Sequence, residues 1–213
     1  MRESALRERF AGLWKRLGGE GDGKSAFGTL LEAYGDPGRH YHGLDHLRDC
    51  LARLDEAPAT SDVRDLAEAA LWYHDVVYLP GAPDNEARSA ECAAAALREG
   101  GVPEDRTREI ARLVRLTDHL LSADDPAGAL VCDVDLSILG RPPAEFAEYE
   151  RRIRAEYGHV PEPLYRAGRA RVLTRLLGRE PLYRSAHFRA RYERPARRNL
   201  ARALDALGDT AGT

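Results

Sequence analysis

The stretch Ser61-Asp62-Val63-Arg64-Asp65-Leu66-Ala67-Glu68-Ala69-Ala70-Leu71-Trp72-Tyr73-His74-Asp75 decides the fold class. Val63, Leu66, Ala70 and Tyr73 recur at intervals of three and four, which places them on one face of an α-helix. Ser61 or Asp62 is a natural N-cap, because its side-chain oxygen can accept from a free backbone N–H of the first turn. The helix runs into His74-Asp75 and is stopped near Leu79-Pro80-Gly81. The same period continues on both sides. Upstream, Leu44, Leu47, Leu51 and Leu54 predict a helix over 43–54, and a shorter one is expected over 25–34. Phe10, Leu13, Trp14 and Leu17 line one face of the first helix, which Gly18-Gly19-Glu20-Gly21-Asp22-Gly23 interrupts. Downstream, Asp84 caps an Ala-rich helix over 85–98, and Pro103 opens another that reaches 121. Further helices are expected over 127–139, 143–157, 163–177 and 186–207. Strand-like runs of β-branched residues are nearly absent. The prediction is an all-α helical bundle, one domain over residues 1–213, with its core about 39–200 and a frayed end at 208–213.

Composition narrows the function classes. A chain of 213 residues is long enough to bury a proper core, and 43% hydrophobic with 31% charged residues is ordinary for a soluble domain. Basic and acidic residues nearly balance, 32 against 35, so nothing points to a nucleic-acid partner. Cys50, Cys92 and Cys132 are far apart and odd in number, which fits neither a disulfide framework nor a zinc knuckle and agrees with a reducing cytoplasm. The first residues include Arg2, Glu3, Arg7, Glu8 and Arg9 without an apolar core of the kind a secretory leader needs. No apolar run approaches the roughly 20 residues of a membrane span. The expectation is a cytoplasmic protein with a small-molecule partner, no nucleic acid and no membrane.

The chemistry-bearing residues fall in three segments: Arg39-His40-Tyr41-His42-Gly43-Leu44-Asp45-His46, then His74-Asp75, then Asp133-Val134-Asp135-Leu136-Ser137. Imidazoles and carboxylates are what divalent transition metals select when thiolates are not offered. His42 and His46 are four apart and share a face if both lie on a helix. His74 and Asp75 are adjacent and diverge by about 100°, so both reach one ion only if the helix end places it between them. Asp133 and Asp135 are alternatives for a fourth ligand. Such a set, drawn from helices that pack together, would leave metal positions open to water and substrate, as catalytic sites do.

Tyr41-His42-x-x-x-His46-x-x-Asp49, His74-Asp75-Val76-Val77-Tyr78-Leu79-Pro80-Gly81 with Asn85, and Asp135-Leu136-Ser137 resemble the signature segments of class I cyclic-nucleotide phosphodiesterases. Tyr78 stands where that signature has a second His, Leu79 is an extra residue before Pro80, and Gly43 replaces its Asn. As a whole the chain is more similar to a bacterial family of small stand-alone metal-dependent phosphohydrolases of the HD superfamily. Tyr41–His46, His74–Tyr78, Asn85-Glu86-x-x-Ser89 and Asp135–Gly140 carry that likeness, over roughly 39–200. The resemblance implies an HD-type fold, with His42 as general acid and His46, His74, Asp75 and Asp135 as metal ligands. It implies hydrolysis of a small phosphorylated metabolite or nucleotide by metal-activated water. The cofactor would be Mn, Fe, Co, Ni or Zn in a sphere free of cysteine, with a second ion as an option. An HD-fold di-iron oxygenase would need further His ligands between His74 and Asp135, where His119 alone is available. A ligand-binding HD module without activity would not need the full set.

Other residues are placed around this centre. Glu86 is a candidate to accept from a ligand His or to orient a water. His119 follows the apolar face of Ile110, Leu113, Val114 and Leu116, either as a ligand to a second ion or as a cation at a helix C-terminus. Among the many arginines of 151–198, Arg154 and Arg169 are the candidates to hold a substrate phosphate, since a guanidinium binds phosphate oxygens two at a time.

Overall fold

The structure, a computed structural model, describes residues 2–120 and 124–208. It is all helical, as expected. Two compact units divide the chain, Met1–Asp135 and Leu136–Thr213.

The first unit holds α1 (Glu3–Arg16), α2 (Lys24–Tyr34), α3 (Leu44–Glu56), α4 (Ser61–Tyr73), α5 (Asn85–Glu99), α6 (Glu104–Arg115), a 3-10 turn Leu116–Asp118, and α7 (Pro126–Asp135). The decisive helix α4 is its centre and packs on α1, α3, α5, α6 and α7. Its sequence explains this position. Ala67, Ala69 and Ala70 let neighbouring backbones approach, while Leu71, Trp72 and Tyr73 fill the spaces between them. Trp72 stands edge-on to Phe10 of α1 and Phe27 of α2, with ring centroids 5.1 and 6.0 Å away. Burial would strand the two buried acidic residues of α4, Asp65 and Glu68, but α1 supplies their counter-charges. Arg9 Nε donates to Glu68 at 2.7 Å and Arg16 Nε to Asp65 at 2.9 Å. The N-cap of α4 is Thr60, one residue before the expected pair.

The second unit holds a 3-10 turn Leu136–Gly140, α8 (Pro143–Glu156), α9 (Glu162–Leu177), the short α10 (Ala186–Phe188), and α11 (Arg194–Gly208). The helix expected over 127–139 thus tightens after Asp135. In the 3-10 turn, the carbonyls of Leu136 and Leu139 accept from Tyr183 Oη and Asn199 Nδ2, at 2.9 and 2.8 Å. The helix expected over 186–207 is interrupted by a π-type turn at Arg189–Glu193. Pro195, which has no N–H to donate back along the chain, follows at once and accounts for the irregularity. The frayed end lies, beyond Gly208, outside the described residues. Among the described residues no helix is long and apolar enough to cross a membrane.

Candidate metal centre

Three helices of the first unit converge on one point. His46 lies on the first turn of α3, His74 directly follows α4 with Asp75 next to it, and Asp135 is the last residue of α7. His46 Nε2 is 3.0 Å from His74 Nε2 and 3.2 Å from Asp135 Oδ1. Asp75 Oδ2 is 3.0 Å from His74 Nε2 and 3.5 Å from His46 Nε2, and Asp135 Oδ1 is 3.6 Å from His74 Nε2. Donors held about 2.1 Å from a common ion stand about 3.0 Å apart at right angles and about 3.4 Å apart at the tetrahedral angle. The observed separations fall in and around this range.

Hydrogen bonding points the same way. His74 is buried, and its Nδ1–H donates to the Leu71 carbonyl at 2.8 Å, which leaves the Nε2 lone pair facing the cluster. Asp75 Oδ2 is buried and accepts no hydrogen bond among the described residues. Several lone pairs aimed at one small space are repulsive unless a proton or a cation lies between them. The electrostatics agree. Burial pushes the Asp75 and Asp135 carboxyls up, but the facing histidines outweigh it and hold both far below the ordinary carboxylate range. Burial opposes the charge on His74, but Asp75 and Asp135 outweigh it and raise its pKa well above the usual histidine value. The residues present therefore fit a divalent cation.

The cluster includes a residue that sequence reading left out. His46, Cys50, His74 and Asp135 offer ligand atoms that all lie within 4.8 Å of one another. Cys50 Sγ is 3.6 Å from His46 Nε2. Burial, reinforced by Asp135, Asp49 and Asp75, pushes its thiol pKa well up. The cysteines had been judged by their spacing from one another. The available signal was the step of four from His46 to Cys50, which puts both on one face of α3.

His42 is not on the helix with His46. It sits in the turn before α3, two residues ahead of Leu44. Its ring centroid is still 5.9 Å from that of His46, and its ring stacks on Tyr78 at 4.0 Å. Arg39, quoted above but given no role, ties this turn to the His-Asp segment. Its guanidinium donates to the carbonyls of His42, Asp75 and Val76 and lies over the rings of Tyr34 and Tyr78. Tyr34 Oη accepts from the Asp75 N–H at 3.2 Å. The Asn85-x-x-x-Ser89 pair has a structural task. Ser89 Oγ bonds both polar groups of the Val77 backbone, and the Asn85 side chain bonds both those of Leu79. The segment after Asp75 is thereby fixed to the first turns of α5.

Of the two acidic candidates on α7, it is Asp135 that reaches His46 and His74; Asp133 is buried two residues away. His119 ends the 3-10 turn after α6 with a left-handed backbone, φ 57°. Its Nε2 meets the other oxygen of Asp135, Oδ2, at 2.8 Å, so the carboxylate is held on one side and presented to His46 and His74 on the other. Glu86 lies in the first turn of α5, half-buried. Burial raises its pKa, and the nearby charges of Asp75 and Asp118 add to this. Arg154 and Arg169 are engaged inside the second unit. Arg154 donates to Glu162 and to the carbonyls of Tyr157 and Val160, while Arg169, buried, donates to Glu150 and Tyr149. Their donors have internal partners in place of the phosphate expected for them.

No family model, no curated protein and no solved structure matches the chain. Fold and site alone define what it is: an all-helical protein whose first unit carries a buried His, Cys and Asp cluster able to hold a metal ion.

Proposed function

We propose that this chain is a metal-dependent phosphohydrolase of the HD superfamily type, acting on a small phosphorylated metabolite or nucleotide. The observation that carries the reading is the convergence of His46, His74, Asp75 and Asp135, drawn from three helices, on a single cation-sized space. A bound divalent ion would polarise a phosphoryl oxygen and acidify a water. The chain's own groups supply the rest. The Leu71 carbonyl fixes the His74 tautomer, and His119 fixes Asp135. His42, stacked on Tyr78 beside the cluster, protonates the leaving alkoxide as general acid. Arg39 holds the His42 turn against the backbone of Asp75 and Val76. The reading is tested by metal analysis of purified protein, followed by a panel of phosphomonoesters, phosphodiesters and nucleotides with Mn²⁺, Co²⁺ or Zn²⁺ added. Turnover that depends on the ion and disappears in Asp75→Ala is expected. Absence of any bound ion, or turnover indifferent to chelation, would remove the reading.

A further inference from the structure

We infer that Cys50 is itself a ligand of the ion, coordinating as thiolate beside His46, His74 and Asp135, and that it sets which ions this site prefers. The inference rests on the metal centre proposed above. Its first support is geometric. A thiolate and an imidazole nitrogen on one ion stand no more than about 4.4 Å apart, since the two bonds are about 2.3 and 2.1 Å. Cys50 Sγ lies beside the His46 ring, 3.6 Å from Nε2 and 3.8 Å from Nδ1. Its second support is convergence. Sγ shares one 4.8 Å space with donor atoms of His46, His74 and Asp135, which come from three different helices. Cys50 is one helical turn beyond His46, so the face of α3 that delivers the imidazole also delivers the sulfur. Its third support is Asp75 Oδ2 at the same point, buried, without a hydrogen bond among the described residues, and 3.0 Å from His74 Nε2, so that a proton or a cation must lie between them.

The step balances simply. The S–H bond of Cys50 breaks, a sulfur–metal bond forms, and the proton leaves to the buffer. Nothing is oxidised. A thiolate in the sphere favours Zn²⁺, with Co²⁺ as its close substitute, over Mn²⁺ and Mg²⁺, which suit carboxylate and water. Of the metals that the imidazoles and carboxylates alone would accept, the sulfur thus selects the softer ones.

The test uses the full chain stripped of metal and titrated with Co²⁺, followed by absorption spectroscopy. The wild type should show a sulfur-to-cobalt charge-transfer band in the near ultraviolet that saturates with the cobalt d–d bands. Cys50→Ser should bind Co²⁺ without the charge-transfer band, whereas Cys92→Ser and Cys132→Ser should keep it. In competition, Cys50→Ser should lose at least about tenfold in Zn²⁺ affinity relative to Mn²⁺, the scale on which even supporting residues of metal sites act. Cobalt bound by the wild type with d–d bands but no charge-transfer band overturns the inference and leaves the metal centre standing. A band that persists in Cys50→Ser overturns it too. Failure of the wild type to bind Co²⁺ at all removes the metal centre, and the inference with it. The wild-type spectrum alone decides the matter if Cys50→Ser does not fold.

Discussion

Asp75 Oδ2 lies 3.0 Å from a histidine nitrogen whose other ring nitrogen is already committed to a carbonyl, so a proton or a metal ion must lie between them. Removing either partner should remove the ion. His74→Ala and Asp75→Ala are each expected to stay folded and to retain several-fold less metal by elemental analysis, since each loses a direct donor. Asp135→Ala should behave like Asp75→Ala. Asp133→Ala should not; if it alone loses metal, the assignment on α7 is reversed. His42 is a different case, because it sits beside the cluster on a turn of its own. His42→Ala should keep most of its metal and lose about 10²–10⁴-fold in turnover. The loss should shrink for a nitrophenyl ester, whose leaving group departs without a proton. Metal loss as complete as in His46→Ala would make His42 a ligand instead of the acid.

Two elements hold this geometry without touching the ion. The segment after Asp75 is pinned by Asn85 and Ser89 through four hydrogen bonds to Val77 and Leu79. Ser89 is fully buried, so Ser89→Ala leaves both polar groups of Val77 without their side-chain partner. The expected cost is about 1–3 kcal/mol in urea unfolding, together with weakened metal binding. A stable variant with weakened metal binding would mean that the tie serves the site alone; no effect on either would mean that it is dispensable. The corner between α1 and α5 is tighter still. A Cβ on Gly100 would stand 1.9 Å from Trp14 Cζ2, on a ring enclosed by the core, whereas a Cβ on Gly28 of α2 meets nothing within 4 Å. Gly100→Ala should therefore cost about 1–3 kcal/mol or more by overpacking. Gly28→Ala should be stabilising by about 0.5–1 kcal/mol through helix propensity. Equal melting temperatures for the two variants would refute this account of the corner.

For the whole molecule, the cluster makes stability depend on pH in a direction that metal reverses. Without metal, the raised pKa of His74 contributes stability fully below the unfolded histidine value of about 6.5, and this is lost as pH rises through the folded pKa. The depressed carboxyls of Asp75 and Asp135 contribute above about 3.9, and their share is lost only as pH falls through their folded values. As pH rises above about 6.5 and through the raised folded pKa of His74, the cluster's contribution to metal-free stability should therefore fall. Metal competes with the His74 proton, so the rise in melting temperature on adding Zn²⁺ should grow over the same interval. Thermal scans of stripped and loaded protein at several pH values would check both slopes. A metal-induced shift that shrinks toward alkaline pH, with the ion still soluble, would count against His74 as ligand.

Much of this protein was legible in one dimension, because helical period is a local property. The step of three and four through Val63, Leu66, Ala70 and Tyr73 predicts α4 and its start within one or two residues, although the helix ends at Tyr73, ahead of the stop expected near Leu79-Pro80-Gly81. His46, His74, Asp75 and Asp135 were named because the segments that carry them resemble those of HD-superfamily hydrolases, and the four side chains lie together in space. What the one-dimensional reading could not supply depends on packing. Residue type alone left Asp133 and Asp135 as alternatives, and only the Asp135-Leu136-Ser137 likeness favoured Asp135; the rotation of α7 against its neighbours turns Asp135 toward the histidines. Arg154 and Arg169 looked like phosphate binders because charge type says nothing about which partner lies nearest; Glu162, Glu150 and Tyr149 do. The π-type turn before Pro195 likewise breaks a stretch whose apolar period reads as one helix. Cys50 shows the distinction most directly: its step of four from His46 already sets the sulfur beside that imidazole, and only the packing of α3 against α4 and α7 brings His74 and Asp135 to the same place.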